Sequence, residues 1–218
     1  MTDKGVIFDV DGVLIDSYEA HFLAWRDLTD THGFDLTEEL FAQSFGRTSR
    51  EVIALWWGQD CFSPGQVQEM TDRKEAIYRE KIASSFPEVP GARELIQALD
   101  QAGFKMAVGS SGPPGNVAAT LDVVDPEQRI VARITGEDVE VGKPDPQVFL
   151  LAAERLALPP QRCVVIEDAA PGIAAAQAAG AASVGYIGAG RTAEELRAAD
   201  LVVTSLTELS PGVLTSLL

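Results

Sequence analysis

Two aspartates set two residues apart are the first feature of this sequence that could do chemistry. They stand in Asp9-Val10-Asp11-Gly12-Val13-Leu14-Ile15-Asp16-Ser17, directly after the apolar, β-branched run Val6-Ile7-Phe8. Where a strand stops, two such carboxylates repel each other unless a cation sits between them, and a hard, oxygen-liganded ion such as Mg²⁺ meets that need. A carboxylate in this position can attack phosphorus to give an aspartyl-phosphate, which splits one difficult transfer into two easier ones. The second aspartate can protonate the leaving oxygen and later activate water. Gly12 permits the sharp turn. The bland alternative, a pair of surface aspartates in a turn, fits poorly with the apolar strand before them.

Three further polar clusters stand where short apolar runs end or just before a helical stretch. In Val108-Gly109-Ser110-Ser111-Gly112 a hydroxyl flanked by backbone N–H groups can hold a phosphate oxygen, although Ser-Gly is also a common loop. In Val141-Gly142-Lys143-Pro144-Asp145-Pro146 a lysine fixed between Gly and Pro offers a point charge to phosphate and to a nearby carboxylate; an exposed loop lysine is the alternative. In Val164-Val165-Ile166-Glu167-Asp168 a second acidic pair supplies further magnesium ligands, with helix capping by Asp168 as the rival explanation. Each cluster alone is weak evidence. Together they place a nucleophile, an acid/base, a phosphate clamp and metal ligands at the carboxyl ends of strands, where open parallel sheets bind ligands.

The elements that must position these residues can be read from periodicity. A first strand over 6–10 is followed, from Tyr18 to about Ile82, by apolar residues at helical spacing, broken at His32-Gly33, Gly46 and Ser63-Pro64-Gly65. That stretch reads as about four helices without strands. After the stiff linker 86–91, strand and helix alternate: helix 92–103, strand 105–110, a weaker strand 130–135, helix 145–157, strand 163–166, helix 171–179 closed by Gly180, then strands 183–186 and 201–203. Short buried strands separated by helices imply a Rossmann-like α/β core with a parallel sheet covered on both faces. The expected organisation is a core of residues 1–16 and 86–218 with an all-helical domain of residues 17–85 inserted after the first strand, joined at two points that suit a cap able to open and close. No internal repeat and no low-complexity segment is present.

Composition narrows the partners. The 218-residue chain carries 33 acidic against 17 basic residues, a net charge of −16, so its surface repels nucleic acid and anionic lipid. Cys61 and Cys163 form neither a disulfide framework nor a zinc spacing and read as reduced, partly buried thiols. Carboxylates within the first apolar run argue against a signal peptide, no apolar stretch is long enough to span a bilayer, and the expected compartment is the cytosol. The expected partner is a small phosphorylated metabolite; a monomer would suffice, and nothing fixes the oligomeric state.

These residues resemble the haloacid dehalogenase superfamily over essentially the whole chain. The Asp-x-Asp-Gly-Val-Leu-x-Asp-Ser run, Ser110, Gly142-Lys143-Pro144 and Glu167-Asp168 occur in the family's order, and the helical insert is similar to its first cap type. The resemblance implies Asp9 as nucleophile, Asp11 as general acid/base, Ser110 and Lys143 as phosphate ligands, and Mg²⁺ held by Asp9, Asp168 and the carbonyl of Asp11 with help from Glu167. Asp11 disfavours carbon–halogen cleavage, which has no leaving oxygen to protonate, and the absence of a cap lysine before Lys74 disfavours phosphonate cleavage through a Schiff base.

Within the family, the chain looks most like β-phosphoglucomutase and small sugar-phosphate phosphatases. The stretch from Asp16 to Trp25 is similar to the mutase's first cap helix and makes His21 a candidate helper of the acid/base aspartate. Gly46-Arg47-Thr48-Ser49-Arg50 resembles the cap's substrate loop, with Arg47 or Arg50 placed to meet a second anionic group; simple packing or a solvated charge pair is the alternative at each. Ser111 completes the expected substrate contacts. Two departures matter. After Ser110-Ser111 the chain reads Gly112-Pro113-Pro114-Gly115-Asn116, without the lysine that the mutases carry there, and the late cap lysine has counterparts only in Arg79 and Lys81. Hydrolysis of a phosphate ester is therefore preferred over intramolecular phosphate transfer. Intact Asp9, Asp11, Lys143 and Asp168 argue against a non-catalytic binding protein.

Overall fold

A run such as Val6-Ile7-Phe8, with no polar side chain to offer water, is stable only as an inner strand covered on both faces. In the computed structural model, which describes residues 3–45, 47–188 and 190–218, it occupies that place. Strand β1 (Gly5–Phe8) pairs in parallel with β2 (Lys105–Gly109) on one side and β4 (Cys163–Glu167) on the other. Strand β3 (Ile130–Ile134) extends the sheet beyond β2, and β5 (Ala182–Tyr186) and β6 (Leu201–Val203) extend it beyond β4. The six strands run parallel in the order β3-β2-β1-β4-β5-β6. This is a Rossmann-like sheet, as the alternation of strand and helix implies.

The chain divides into two compact units. One is Ser17–Pro87 and is helical throughout its described residues: α1 (Tyr18–Asp30), α2 (Glu38–Ser44), α3 (Ser49–Trp57) and α4 (Pro64–Ser84). Helices α3 and α4 begin with reciprocal capping boxes, Thr48 with Glu51 and Ser63 with Gln66, which satisfy amides that a helix start leaves unpaired. Trp25, Leu28, Phe41, Val52, Ile53 and Met70 form its core, and Phe45, Trp56 and Trp57 all pack against that core.

The other unit takes the chain up to Asp16 and from Glu88 onward. It adds α5 (Ala92–Gln101), α6 (Pro114–Val124), α7 (Gln147–Arg155), α8 (Ala170–Ala179) and α9 (Pro211–Ser216). Helices α7 and α8 cover one sheet face, where Phe149, Ala152, Ala153, Ala175 and Ala176 meet Ile7, Ala107 and Val165. Helices α6 and α9 are additional to those expected. The start of α6 hides in Pro113-Pro114-Gly115, which reads as a loop, yet Pro at the first helical position suits a helix start. Val117, Thr120, Leu121 and Val124 then fall on its buried face.

Phe149 is fully buried against the sheet, and its ring would meet any side chain placed at Gly109. Replacing it by alanine should destabilise the protein by about 3–5 kcal/mol, read as a lower denaturant midpoint. A midpoint unchanged from that of the original protein would contradict the packing described here.

Candidate active site

Register delivers the site. Phe8 lies opposite Ile166 on β4 and Val108 on β2, so Asp9, Glu167 and Ser110 emerge close together at the carboxyl ends of three adjacent strands. The Asp9 amide donates to the Ile166 carbonyl at 2.9 Å, and the Ser110 amide to that of Ile134 at 3.0 Å, which carries the ladder one residue past each strand. Both side chains are thereby aimed by rigid backbone.

Asp9, Glu167 and Asp168 are all buried, and each offers a carboxylate oxygen within 4.8 Å of the other two. At that separation two carboxylate charges repel by about 3 kcal/mol or more at an effective dielectric near 20. Lys143 relieves part of this. Its Nζ donates to Asp9 Oδ1 at 2.8 Å and to Glu167 Oε1 at 2.7 Å, with the side chains 9 %, 10 % and 1 % exposed respectively. The ammonium also lies over the Phe149 ring at 4.9 Å, a favourable place for a desolvated cation. Glu167 Oε2 accepts the Ala169 amide at 2.8 Å.

The titration behaviour follows from this crowding. Burial, joined by the Glu167 and Asp168 charges and opposed by Lys143, pushes the Asp9 carboxyl well above the usual carboxylate range. Burial and the Glu167 charge push Asp168 up to about 6, against the pull of Arg191. For Lys143, burial works against the ammonium, but the charges of Asp9 and Glu167 outweigh it and hold its pKa above the usual lysine value. Among the described residues, three carboxylates meet two paired cations here, which leaves the corner short of positive charge. An oxygen-only donor set of this kind fits a hard divalent cation, and softer metals would call for nitrogen or sulfur ligands.

Glycines make the room. Gly12 has φ +82°, and a Cβ built there would lie 2.4 Å from Asp168 Oδ2; at Gly172, in the first turn of α8, a Cβ would lie 1.8 Å from Glu167 Oε1. Gly12 therefore does more than turn the chain. The Asp11 carboxylate is not one of the three clustered acids. It faces the Ser110–Gly112 turn: a Cβ on Gly112 would lie 3.4 Å from Asp11 Oδ2 and 3.2 Å from Ser110 Oγ. Ser110 is buried, and its Oγ accepts the Gly112 amide at 2.9 Å. Ser111 is exposed.

The remaining candidates belong to the helical unit. His21 on α1 stacks on Tyr78 (ring centroids 4.0 Å apart, 8° between planes), and its Nδ1 lies 2.9 Å from Lys74 Nζ. Lys74 is buried and pairs with Glu75 at 2.9 Å, whose carboxylate also accepts from Ser49 Oγ at 2.8 Å. The lysine that α4 brings to His21 is thus Lys74, not Lys81, which pairs with Asp27 at 2.6 Å. The signal was available: positions 70, 74, 77 and 78 form one helical stripe, and a lysine inside an apolar stripe needs a partner. Arg47 is exposed; Arg50, also exposed, borders a cavity of about 160 Å³ lined by Ile53, Phe62 and Val67. Gly46 lies outside the described residues. Sequence reasoning also missed Arg191, whose Nε donates to Asp168 Oδ2 at 3.2 Å. An arginine in the glycine-rich turn after a strand was the available sign.

The family model for haloacid dehalogenase-like hydrolases matches residues 4–180, and the chain belongs to that family of hydrolases. Among its relatives, the β-phosphoglucomutase of Bacillus subtilis (strain 168) is 33 % identical over 214 residues, covering 95 % of this chain and 92 % of the relative. Hexitol phosphatase A of Escherichia coli K12 is 32 % identical over 211 residues, covering 96 % and 94 %. A solved structure of a mutant CbbY from Rhodobacter sphaeroides, in complex with xylulose-(1,5)bisphosphate, superposes with a TM-score of 0.86 at 26 % identity, covering 95 % of this chain and 96 % of that one. Among the described residues no helix is long and apolar enough to cross a membrane.

Lys143→Met removes the ammonium shared by two buried carboxylates. It should cost about 3–5 kcal/mol of stability in denaturant unfolding without divalent cations, and part of the loss should return when Mg²⁺ is added. An undiminished unfolding free energy would contradict the ion pairs.

Proposed function

We propose that this protein is a magnesium-dependent phosphatase of small phosphorylated metabolites, sugar phosphates foremost, acting through an aspartyl-phosphate on Asp9. The observation that carries the reading is the buried Asp9 carboxylate, held at Oδ1 by Lys143 and gathered with Glu167 and Asp168 within 4.8 Å. An acid so fixed has the geometry of a nucleophile, and its neighbours have that of a cation site. The names of the relatives support the substrate class: a sugar phosphomutase, a hexitol phosphatase and a protein solved with a sugar bisphosphate.

In this reading Asp9, Asp168 and the carbonyl of Asp11 hold Mg²⁺, with Glu167 assisting from the neighbouring strand end. The ion, when bound, neutralises charge on the transferring phosphoryl oxygens. The chain's own residues do the rest. Lys143 and Ser110 bind phosphate oxygens and align the ester for in-line displacement. Asp9 forms the new O–P bond as the ester O–P bond breaks, and Asp11 supplies the proton that the departing alkoxide takes up. Asp11, now a carboxylate, draws a proton from water, which attacks the aspartyl-phosphate, releases inorganic phosphate and restores Asp9. The position of the Asp11 carboxylate beside the Ser110–Gly112 loop supports an acid/base part for that side chain next to a bound ester, while its backbone carbonyl serves the metal. Residues 17–85 form the cap domain and bear the specificity in this reading, with His21, Gly46, Arg47 and Arg50 as substrate contacts alongside Ser111 of the core, residues 1–16 and 86–218.

Phosphate transfer within one sugar is the second reading, favoured by the mutase relative at 33 % identity. Hydrolysis is preferred because Gly112-Pro113-Pro114-Gly115 brings no cation to grip a second phosphate. A screen of sugar phosphates with and without Mg²⁺ should show phosphate release that chelation by EDTA abolishes. Conversion of β-glucose 1-phosphate, primed with a bisphosphate, to glucose 6-phosphate without free phosphate would favour the mutase instead. Asp9→Asn should abolish turnover while leaving the melting temperature near that of the original protein, and measurable turnover would refute the nucleophile. Asp11→Ala should slow release by roughly a hundredfold or more.

A further inference from the structure

Arg191 is a cation set against Asp168 that neither the proposed chemistry nor the family's motif accounts for. Its Nε donates to Asp168 Oδ2 at 3.2 Å, and the two side chains are 27 % and 9 % exposed. Long surface arginines usually wander, so such a contact means little unless the backbone beneath is fixed. Here the described residues on either side, Gly188 and Thr192, make contacts of their own. The Arg191 amide donates to the Gly188 carbonyl at 3.2 Å, and Gly188 packs so closely that a Cβ there would lie 3.3 Å from the carbonyl oxygen of Gly12. On the other side, the Thr192 amide and hydroxyl both bond Glu195, at 2.8 and 2.9 Å, and Leu196 is fully buried beneath Gly185 of β5. Arg191 thus presents one guanidinium, between contacts at Gly188 and Thr192, to the acid that follows the next strand.

From this we infer that Arg191 is a positioning residue for the divalent cation: by holding one oxygen of Asp168 it fixes the carboxylate plane and sets the affinity of the acidic cluster for its metal. The inference rests on the metal reading above and extends it to a residue on a different strand end. Two effects oppose each other. A guanidinium near a cation repels it, which by itself would make Arg191 weaken binding. Because it is more than a quarter exposed, solvent screens that repulsion. The hydrogen bond, in contrast, acts on a carboxylate whose side chain is nine-tenths buried, where little water competes for it. Hydrogen-bonded partners of metal-ligating groups commonly control affinity in this way. Orientation therefore outweighs repulsion.

The test is a titration of the whole chain with Mg²⁺ alone and Mn²⁺ alone, by calorimetry and by cation-induced rise in melting temperature, with no substrate present. R191M should bind either ion roughly 10–100-fold more weakly than the original protein, while its melting temperature without metal stays close to the original. R191K, able to make a single charged hydrogen bond, should recover part of the affinity. In turnover the variant's half-saturating Mg²⁺ should rise, with much of the rate regained at saturating metal. The exposed R197A serves as the control and should bind as the original does. Equal or tighter cation binding by R191M would overturn the role of Arg191 and leave the metal reading standing. Failure of the original protein to bind either ion would overturn both.

Discussion

Too much negative charge in too little water governs this molecule. Asp9, Glu167 and Asp168 crowd one buried corner at the ends of adjacent central strands, and nothing in the hydrophobic effect favours putting them there. An uncompensated buried carboxylate costs several kcal/mol, a large part of the stability of an ordinary domain. The fold must therefore bring cations to the same place. It does so with Lys143, which lies between two of the acids and against an aromatic ring, and with Arg191 at the third. Even so, the corner retains a deficit of positive charge, and its all-oxygen donors suit a hard divalent cation.

The backbone around the corner is shaped by the same demand. The parallel register of β1 with β2 and β4 sets where Asp9, Ser110 and Glu167 emerge, so their spacing is a property of the sheet. Gly12 and Gly172 flank the acids just beyond the carboxyl ends of the adjacent strands β1 and β4. At either, a methyl group would occupy the volume of a carboxylate, so these glycines are required for space, and at Gly12 for its positive φ as well.

Much of this was readable from residue order. The sheet strands, the parallel α/β architecture and the helical character of the stretch after Ser17 follow from apolar periodicity, because buried strands and amphipathic helices leave different spacings. The clusters at Asp9, Ser110, Lys143 and Glu167-Asp168 stood out because polar groups at strand ends are conspicuous beside apolar runs. What was missed has physical reasons. Helix α6 is disguised by Pro113-Pro114-Gly115, where loop chemistry and helix-start chemistry coincide. Lys74 was passed over for Arg79 and Lys81: its stripe with positions 70, 77 and 78 marks it as buried, but its partner His21 of α1 is not visible along α4. Arg191 meets Asp168 through a contact between residues 23 apart in sequence, set by how β5 lies beside β4. A single chain read in order carries little trace of such neighbours.

The central position of β1 also dictates when the molecule can be completed. Gly5 pairs with Lys105 on one side and with Cys163 on the other, separations of 105 − 5 = 100 and 163 − 5 = 158 residues. During synthesis the first apolar strand emerges long before either neighbour exists, and it must stay unpaired or sheltered until most of the chain has been made. Closing such long loops before any pairing rewards them slows folding and prolongs exposure of an aggregation-prone segment. The acidic corner, assembled from residues 9, 143, 167 and 168 with Arg191 beside them, consequently cannot come together until residues far apart in the sequence have all been made.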